Sequence, residues 1–430
     1  MRGFAHAGHE VLTLEVGEVW QACERSPGQR CAIMSGASEQ LAKIVRRERI
    51  DATFGMWANG LTTYMHGMRE GRPATVFDLI GVPHVCYWLD APHWAHSGAI
   101  QAYYGHALIA SPMLTHVINN EATAEEMRRV LGFGRTIALA YGVDTEVFHP
   151  VEGVAVEYDV VASCGPGDPK PSEVALRALA SREPDYEAVR RDQAARLKIK
   201  LGNEATRAVP EMENSMRTLV ERLIDWQVRD RHAAMLTRID ALVREGGEMA
   251  RAAERLLGDP RLFVLVTMGV RRVEAMERAF TLCLLAKRFR VAIFGQSDLS
   301  AWGCEATHLG ELAYDQMSAA YARGRVGLNV MRWQDDAGIN LKPLEIAASG
   351  VACASVRRVG LDAVLEPGQE IETFDAPDEA VRCVGRVLDD ASPRDELARR
   401  AGWRVRQEHS WADRARTIRD AISVCPSGAT

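Results

Sequence analysis

Several absences narrow the class of this 430-residue chain before any motif is read. No apolar run approaches the ~20 residues needed to cross a bilayer, and the opening MRGFAHAGHE lacks the apolar centre of a secretory signal. The expected compartment is therefore the cytoplasm. The nine cysteines include no C-x-x-C pair, and several stand in apolar, strand-like runs where small core residues belong. This argues against a disulfide framework and suits a reducing environment. A basic excess is also missing: the formal net charge is -6, which argues against holding nucleic acid mainly by phosphate neutralisation. There is no H-E-x-x-H, no G-x-S-x-G, no P-loop and no D-x-D after an early strand, so neither a metal nor a cofactor is implied. Internal repeats, low-complexity tracts and long linkers are absent as well.

What is present is an ordinary globular composition, 47% hydrophobic and 26% charged, with a length that suits two or three domains. HEVLTLEV from His9 reads as a strand, SEQLAKIVRRERI as a helix, and DATFGMW and GVPHVCYWLD as further strands. Alternation of this kind predicts a parallel sheet with helices on both faces. The pattern continues to YGVDTEVFHP, and Pro150 closes the first unit, residues 1–150. YDVVASCGPG then opens a second unit, residues 151–430. Within it, 169–260 is charge-rich and strand-free, with Met216, Leu219, Leu223, Met235, Ile239 and Leu242 at helical spacing. A helical insertion projecting as its own small bundle is expected there. The sheet pattern resumes with VRRVEAMERAFTLCLLAKRF as a helix, followed by RVAIFG and VGLNVM as strands.

The rest is organised around Asp335 to Gly350, DDAGINLKPLEIAASG. Pro343 is tolerated only in a helix's first turn, so the helix begins near Asn340, whose side chain can cap it, and Gly350 supplies the stop. Glu345 lies one turn inside with its carboxylate leaning back along that opening turn. Free N–H groups there suit a diphosphate, Gly338 allows close approach, and Glu345 can accept hydrogen bonds from sugar hydroxyls. A nucleotide sugar offers both groups.

This stretch, with the following VACASV, EPGQEIETF, DAPDEAVRCVGRVLDD and SWADRARTI, resembles the donor-domain tail of group 1 glycosyltransferases, and within them the spore-maturation, CgeB-like branch. YGVDTEVFHP resembles that superfamily's domain crossing, with Asp144 stabilising it. The resemblance implies a GT-B fold: two facing doubly wound α/β domains with ligands in the cleft between them. It implies transfer of a sugar, with retention and without a metal, from a nucleotide diphosphate sugar to an acceptor that no motif specifies, be it glycan, protein or small molecule. Asp90 or His93, just after PHVCYWL, would face the reacting carbon, with His96 as a weaker neighbour. Arg271 or Arg272 would contact the diphosphate, assisted by Lys342. Gly295 and Gly310 would pass close to the base, and Asp336, Gly338, Asn340 and Glu345 would complete the donor site. The retaining E-x7-E signature has Ala337 in place of its first glutamate, with Asp335 and Asp336 beside it. That departure favours a rival reading, a non-catalytic member binding a partner through the insertion. A nucleotide-sugar epimerase would need further acidic and histidine residues. The resemblance also implies that FAHAGHEV is the end of a first helix and the start of a second strand, so either a first strand and its glycine turn are expected upstream, or the chain closes the gap by pairing HEVLTLEV differently.

Overall fold

The computed structural model describes residues 2–94, 98–334 and 337–423. Twelve strands form, in chain order: β1 Thr53–Met56, β2 Gly67–Arg69, β3 Arg72–Ala74, β4 His84–Tyr87, β5 Leu114–Ile118, β6 Arg135–Ala138, β7 Tyr158–Cys164, β8 Val291–Gly295, β9 Thr307–Gly310, β10 Gly324–Asn329, β11 Ala352–Val356 and β12 Glu372–Phe374. The first parallel sheet has the order β1-β4-β5-β6 and the second β12-β11-β10-β7-β8-β9, with β2 and β3 as a separate hairpin. β4, β5 and β11 are buried along their whole length, as strands covered by helices on both faces must be. The expected fold class, two facing doubly wound α/β domains, is the one observed. The carboxyl ends of the two sheets meet where Asn119, just past β5, donates to the Ile339 carbonyl at 2.6 Å.

Two expectations are corrected. His9–Val16 forms no strand, and β1 stands at the edge of its sheet. Alternating apolar residues make a strand only where a neighbour supplies backbone partners, and here Leu12 and Leu14 point into solvent. The run VRRVEAMERAFTLCLLAKRF is also not one helix: Pro260–Arg271 ends at Arg271, a short turn spans Arg272–Glu274, and a new helix runs Glu277–Ala286.

The insertion is helical: Glu173–Ala180, Tyr186–Ala208, Glu213–Arg229, Met235–Glu245 and Gly247–Leu257 lie within 169–260, and Pro260–Arg271 continues the bundle. The six apolar residues singled out by their spacing are all fully buried. It does not project freely. Its apolar interior is continuous with that of the first domain, joining Leu219, Ile239 and Phe263 to Leu114, Met127 and Phe133. Charges seal the contact: Arg129, on the first domain's Glu121–Arg129 helix, forms a two-pronged pair with Asp240 at 2.7 and 2.6 Å. On the other side a buried ion network ties the bundle to the second domain. Glu274 accepts from Arg190 at 2.8 Å, and Glu277 accepts from Arg231 at 2.5 Å and Arg358 at 3.3 Å.

The C-terminal helix Trp411–Ser423 returns to the first domain and packs on the Arg2–His6 helix. The Val143 N–H donates to the His409 carbonyl at 2.8 Å, and the Trp411 N–H to the Val143 carbonyl at 3.1 Å. Gly142 permits this approach, because a Cβ there would lie 2.9 Å from the Ser410 carbonyl.

Candidate active site

β7 and β10 are neighbours, and being parallel they release the chain at the same end of the sheet. Gly165 to Asp168 follows β7, and Val330 to Gln334 follows β10. These two segments bring together side chains that the sequence reading did not select. Arg278 donates from Nε to Asp168 Oδ1 at 2.8 Å and from Nη2 to the Gly165 carbonyl at 3.0 Å. Asp168 also accepts from Ser297 Oγ at 2.6 Å, which fixes the turn from β8's side. The Arg332 guanidinium lies over Gly165, where a Cβ would stand 2.5 Å from Nη2. Burial raises the pKa of the Cys164 thiol; the charges of Arg278, Lys342 and Arg332 act to lower it, and that of Asp168 to raise it. Two guanidiniums thus meet at the end of β7, Arg278 paired with Asp168 and Arg332 over Gly165, with the charge of Lys342 near enough to act on Cys164. Burial and the neighbouring charge of Arg278 lower the pKa of Arg332, whereas Asp90 across the cleft raises it.

Of the stretch expected to form a loop and helix, Ala337 to Gly350 is described, and the helix spans Lys342–Ala348. Asn340 Oδ1 accepts from the Lys342 N–H at 3.2 Å, and its Nδ2 donates to Asn329 Oδ1 at 2.9 Å, which ties the loop to the end of β10. Gly350 ends the helix in the left-handed region at φ +77, with its N–H on the Ala347 carbonyl and that of Val351 on Ile346. Gly338 is buried, and the Ala337 carbonyl accepts from the Gly360 N–H at 2.8 Å. Glu345 is buried and accepts from the Tyr321 hydroxyl at 3.3 Å. Burial raises its pKa, and Lys342 and Tyr321 only partly oppose this.

The other candidates fall in different places. Asp90 is half-buried at the end of the β4 segment, electrostatically coupled to Arg332. Arg272 stays near the cluster, its guanidinium 5.3 Å from the centre of the Trp333 ring, and Arg332 and Trp333 line one small cavity with Asp168 and Arg278. Gly295 sits beside Cys164 with φ +108, and a Cβ would come 2.2 Å from the Cys164 carbonyl. Gly310 ends the edge strand β9 at φ +74.

Arg271 is committed elsewhere, and His93 is buried near it. Arg271 is 2% exposed and pairs with Glu126 of the first domain at 2.5 Å. His93 Nε2 lies 3.5 Å from the same carboxylate, and burial, then the charge of Arg271, push its pKa well down. The Arg271–Glu126 pair holds the bundle against the first domain, and His93 is buried beside it, so the diphosphate role considered for Arg271 and the acid–base role considered for His93 are not supported. Asp335, Asp336 and His96 lie outside the described residues.

Arg332 and Asp168 could have been found in the sequence, since each lies in the short segment that follows an apolar strand. Arg278 gives no such signal, because it is one of several arginines on helices. Among the described residues no cluster of three or more histidine, cysteine, aspartate or glutamate side chains could hold a metal ion, and no helix is long and apolar enough to cross a membrane.

Residues 271–420, just over a third of the chain, match a family model described as glycosyl transferase-like. No curated protein sequence matches the chain. Among solved structures it is similar to sucrose-phosphate synthase from Thermosynechococcus elongatus, at 10% identity and TM-score 0.44, covering 91% of this chain and 78% of that one. It is similar as well to Anabaena HepE in complex with UDP and glucose, at 11% identity and TM-score 0.43, covering 81% and 73%. A third is AviGT4, a glycosyltransferase involved in avilamycin A biosynthesis, at 11% identity and TM-score 0.42, covering 92% and 79%.

Proposed function

We propose that this protein is a glycosyltransferase that moves a sugar from a nucleotide diphosphate sugar to an acceptor hydroxyl, with retention and without a metal ion. The observation that carries this reading is the meeting of Arg278 and Arg332 around one small cavity at the end of β7, with the charge of Lys342 nearby. A cluster of cations is what a departing diphosphate needs, since they stabilise the charge that develops as the bond from the sugar's anomeric carbon to the phosphate oxygen breaks. They would do this in place of a divalent ion. Glu345, beside Lys342, would orient the donor, and Asp90, opposite Arg332, would position the acceptor hydroxyl or take its proton. The match over residues 271–420 supports the transferase class, and the CgeB-like branch and a hexosyl donor are our finer assignment. A cytoplasmic setting fits a nucleotide-sugar donor.

The rival role, a non-catalytic module that binds a partner through the helical insertion, has less support because the bundle packs onto the first domain. A thermal-shift panel of nucleotides and nucleotide sugars separates the two. A ligand present at 100 times its dissociation constant adds about 2.7 kcal/mol to stability. The expected result is a raised Tm with a nucleoside diphosphate or its sugar, lost in Arg332→Ala. A panel in which nothing raises Tm would overturn the reading.

A further inference from the structure

One peptide unit of the loop before the Lys342–Ala348 helix is held from both domains. The Ile339 carbonyl accepts from Asn119 Nδ2, on the first domain, at 2.6 Å. At the other end of the same unit, the Asn340 N–H donates to Met331 Sδ at 3.3 Å, one residue before Arg332. The Ile339 side chain is buried in an apolar cluster that takes Val117 from β5 and Leu344 from the helix. The plane of this peptide sets how the chain enters Asn340, whose Oδ1 caps the Lys342 N–H. Its tilt therefore fixes the helix opening relative to the Arg332 segment.

The Asn119 amide is itself oriented. A carbonyl oxygen can only accept, so the group that faces Ile339 must be the amide nitrogen. Asn119 Oδ1 accepts from Asn120 Nδ2 at 2.7 Å, and Asn120 Oδ1 accepts from the Thr123 N–H at 2.8 Å as the cap of the Glu121–Arg129 helix. Three hydrogen bonds in series thus lead from the start of a first-domain helix to the loop of the second domain. An aspartate at 119 would keep the bond from Asn120 and lose the one to Ile339, because a carboxylate has no proton to donate.

We propose that Asn119 is a positioning residue for nucleotide binding, through which the first domain presets the second domain's binding loop by holding the Ile339–Asn340 peptide. It acts through that peptide and needs no contact with the ligand. The inference rests on the transferase reading above and adds to it a residue of the facing domain. A loop held in its binding form before the ligand arrives spares the ligand the cost of ordering it. Without the Asn119 amide the peptide keeps only the Met331 sulfur, a weak acceptor, and the helix opening and Arg332 lose their fixed separation.

The test compares the full chain as wild type, Asn119→Ala and Asn119→Asp. Hydrogen exchange without ligand should quicken over Ala337 to Leu341 in both variants, while β5 and β10 keep their wild-type protection. Titration calorimetry with UDP, GDP and ADP should show that whichever of them binds wild type binds each variant about two- to tenfold more weakly, the range expected for one lost neutral hydrogen bond. Unchanged exchange over the loop would overturn the proposal. So would a lower urea midpoint with wild-type nucleotide affinity, which is the signature of a purely structural contact. If none of the three nucleotides binds wild type, the transferase reading fails and the proposal falls with it, an outcome distinct from binding that the variants leave intact.

Discussion

Gly165 and Gly295 flank the same cluster, but their missing side chains do different work. At Gly165 the atom in the way of a Cβ is the far end of Arg332, which can swing aside. Gly165→Ala should therefore fold with nearly unchanged stability yet displace the Arg332 guanidinium. Losing a charged hydrogen bond of this kind costs about 1.5–3 kcal/mol, so titration calorimetry should show nucleoside diphosphate affinity falling by roughly tenfold or more. At Gly295 the obstacle is the Cys164 carbonyl, part of the sheet itself, and φ is +108. Gly295→Ala adds a backbone clash to the ~1–3 kcal/mol of a disfavoured conformation, and its urea midpoint should drop clearly below that of Gly165→Ala. The sequence marked Gly295 as a candidate but not Gly165, because what Gly165 accommodates comes from the segment after β10, more than a hundred positions away.

At the scale of elements, the Lys342–Ala348 helix was the most legible part of the chain. Pro343, Asn340 and Gly350 fix its limits by local backbone chemistry, so reading it needed no knowledge of its neighbours. The surroundings of Glu345 were not legible, since Tyr321 reaches it from another helix. Burial already favours the neutral form of this carboxyl, so Glu345→Gln removes a charge that the fold disfavours. Its amide oxygen can still accept from Tyr321. Thermal stability should be equal to or slightly above wild type, while donor binding should weaken by about 1.5–3 kcal/mol. Wild-type affinity for a nucleotide sugar in this variant would remove Glu345 from the site. The helices of the insertion were equally legible from their spacing, but their docking was not, because a charge-rich face reads as solvated until its partners are known. Arg129 and Glu126 were those partners. His9–Val16 failed for the converse reason: an alternating pattern states a preference for strand but not whether a neighbour is present.

For the whole molecule, the ion network of Glu274 and Glu277 with Arg190, Arg231 and Arg358 joins the bundle to the second domain. Glu277→Gln would leave Arg231 and Arg358 buried without full compensation, and such losses cost about 3–5 kcal/mol, readable as a lower urea midpoint. Burial alone would raise the Glu277 carboxyl, but Arg231 and Arg358 outweigh it and hold it below the usual carboxylate range. A depressed acid contributes stability fully above its unfolded pKa and loses it as pH falls through the folded one. Wild-type stability should therefore drop steeply below about pH 4, and Glu277→Gln, already weaker, should show a shallower acid limb. The shared apolar interior of bundle and first domain has a consequence for how the chain is made. On the ribosome the first sheet emerges well before the helices from Tyr186 to Arg271 that complete its core, and before the Trp411–Ser423 helix that covers Gly142. The N-terminal half must therefore wait, partly uncovered, for segments still being translated, and a chain released near residue 150 would present that unfinished surface to chaperones or to other copies of itself.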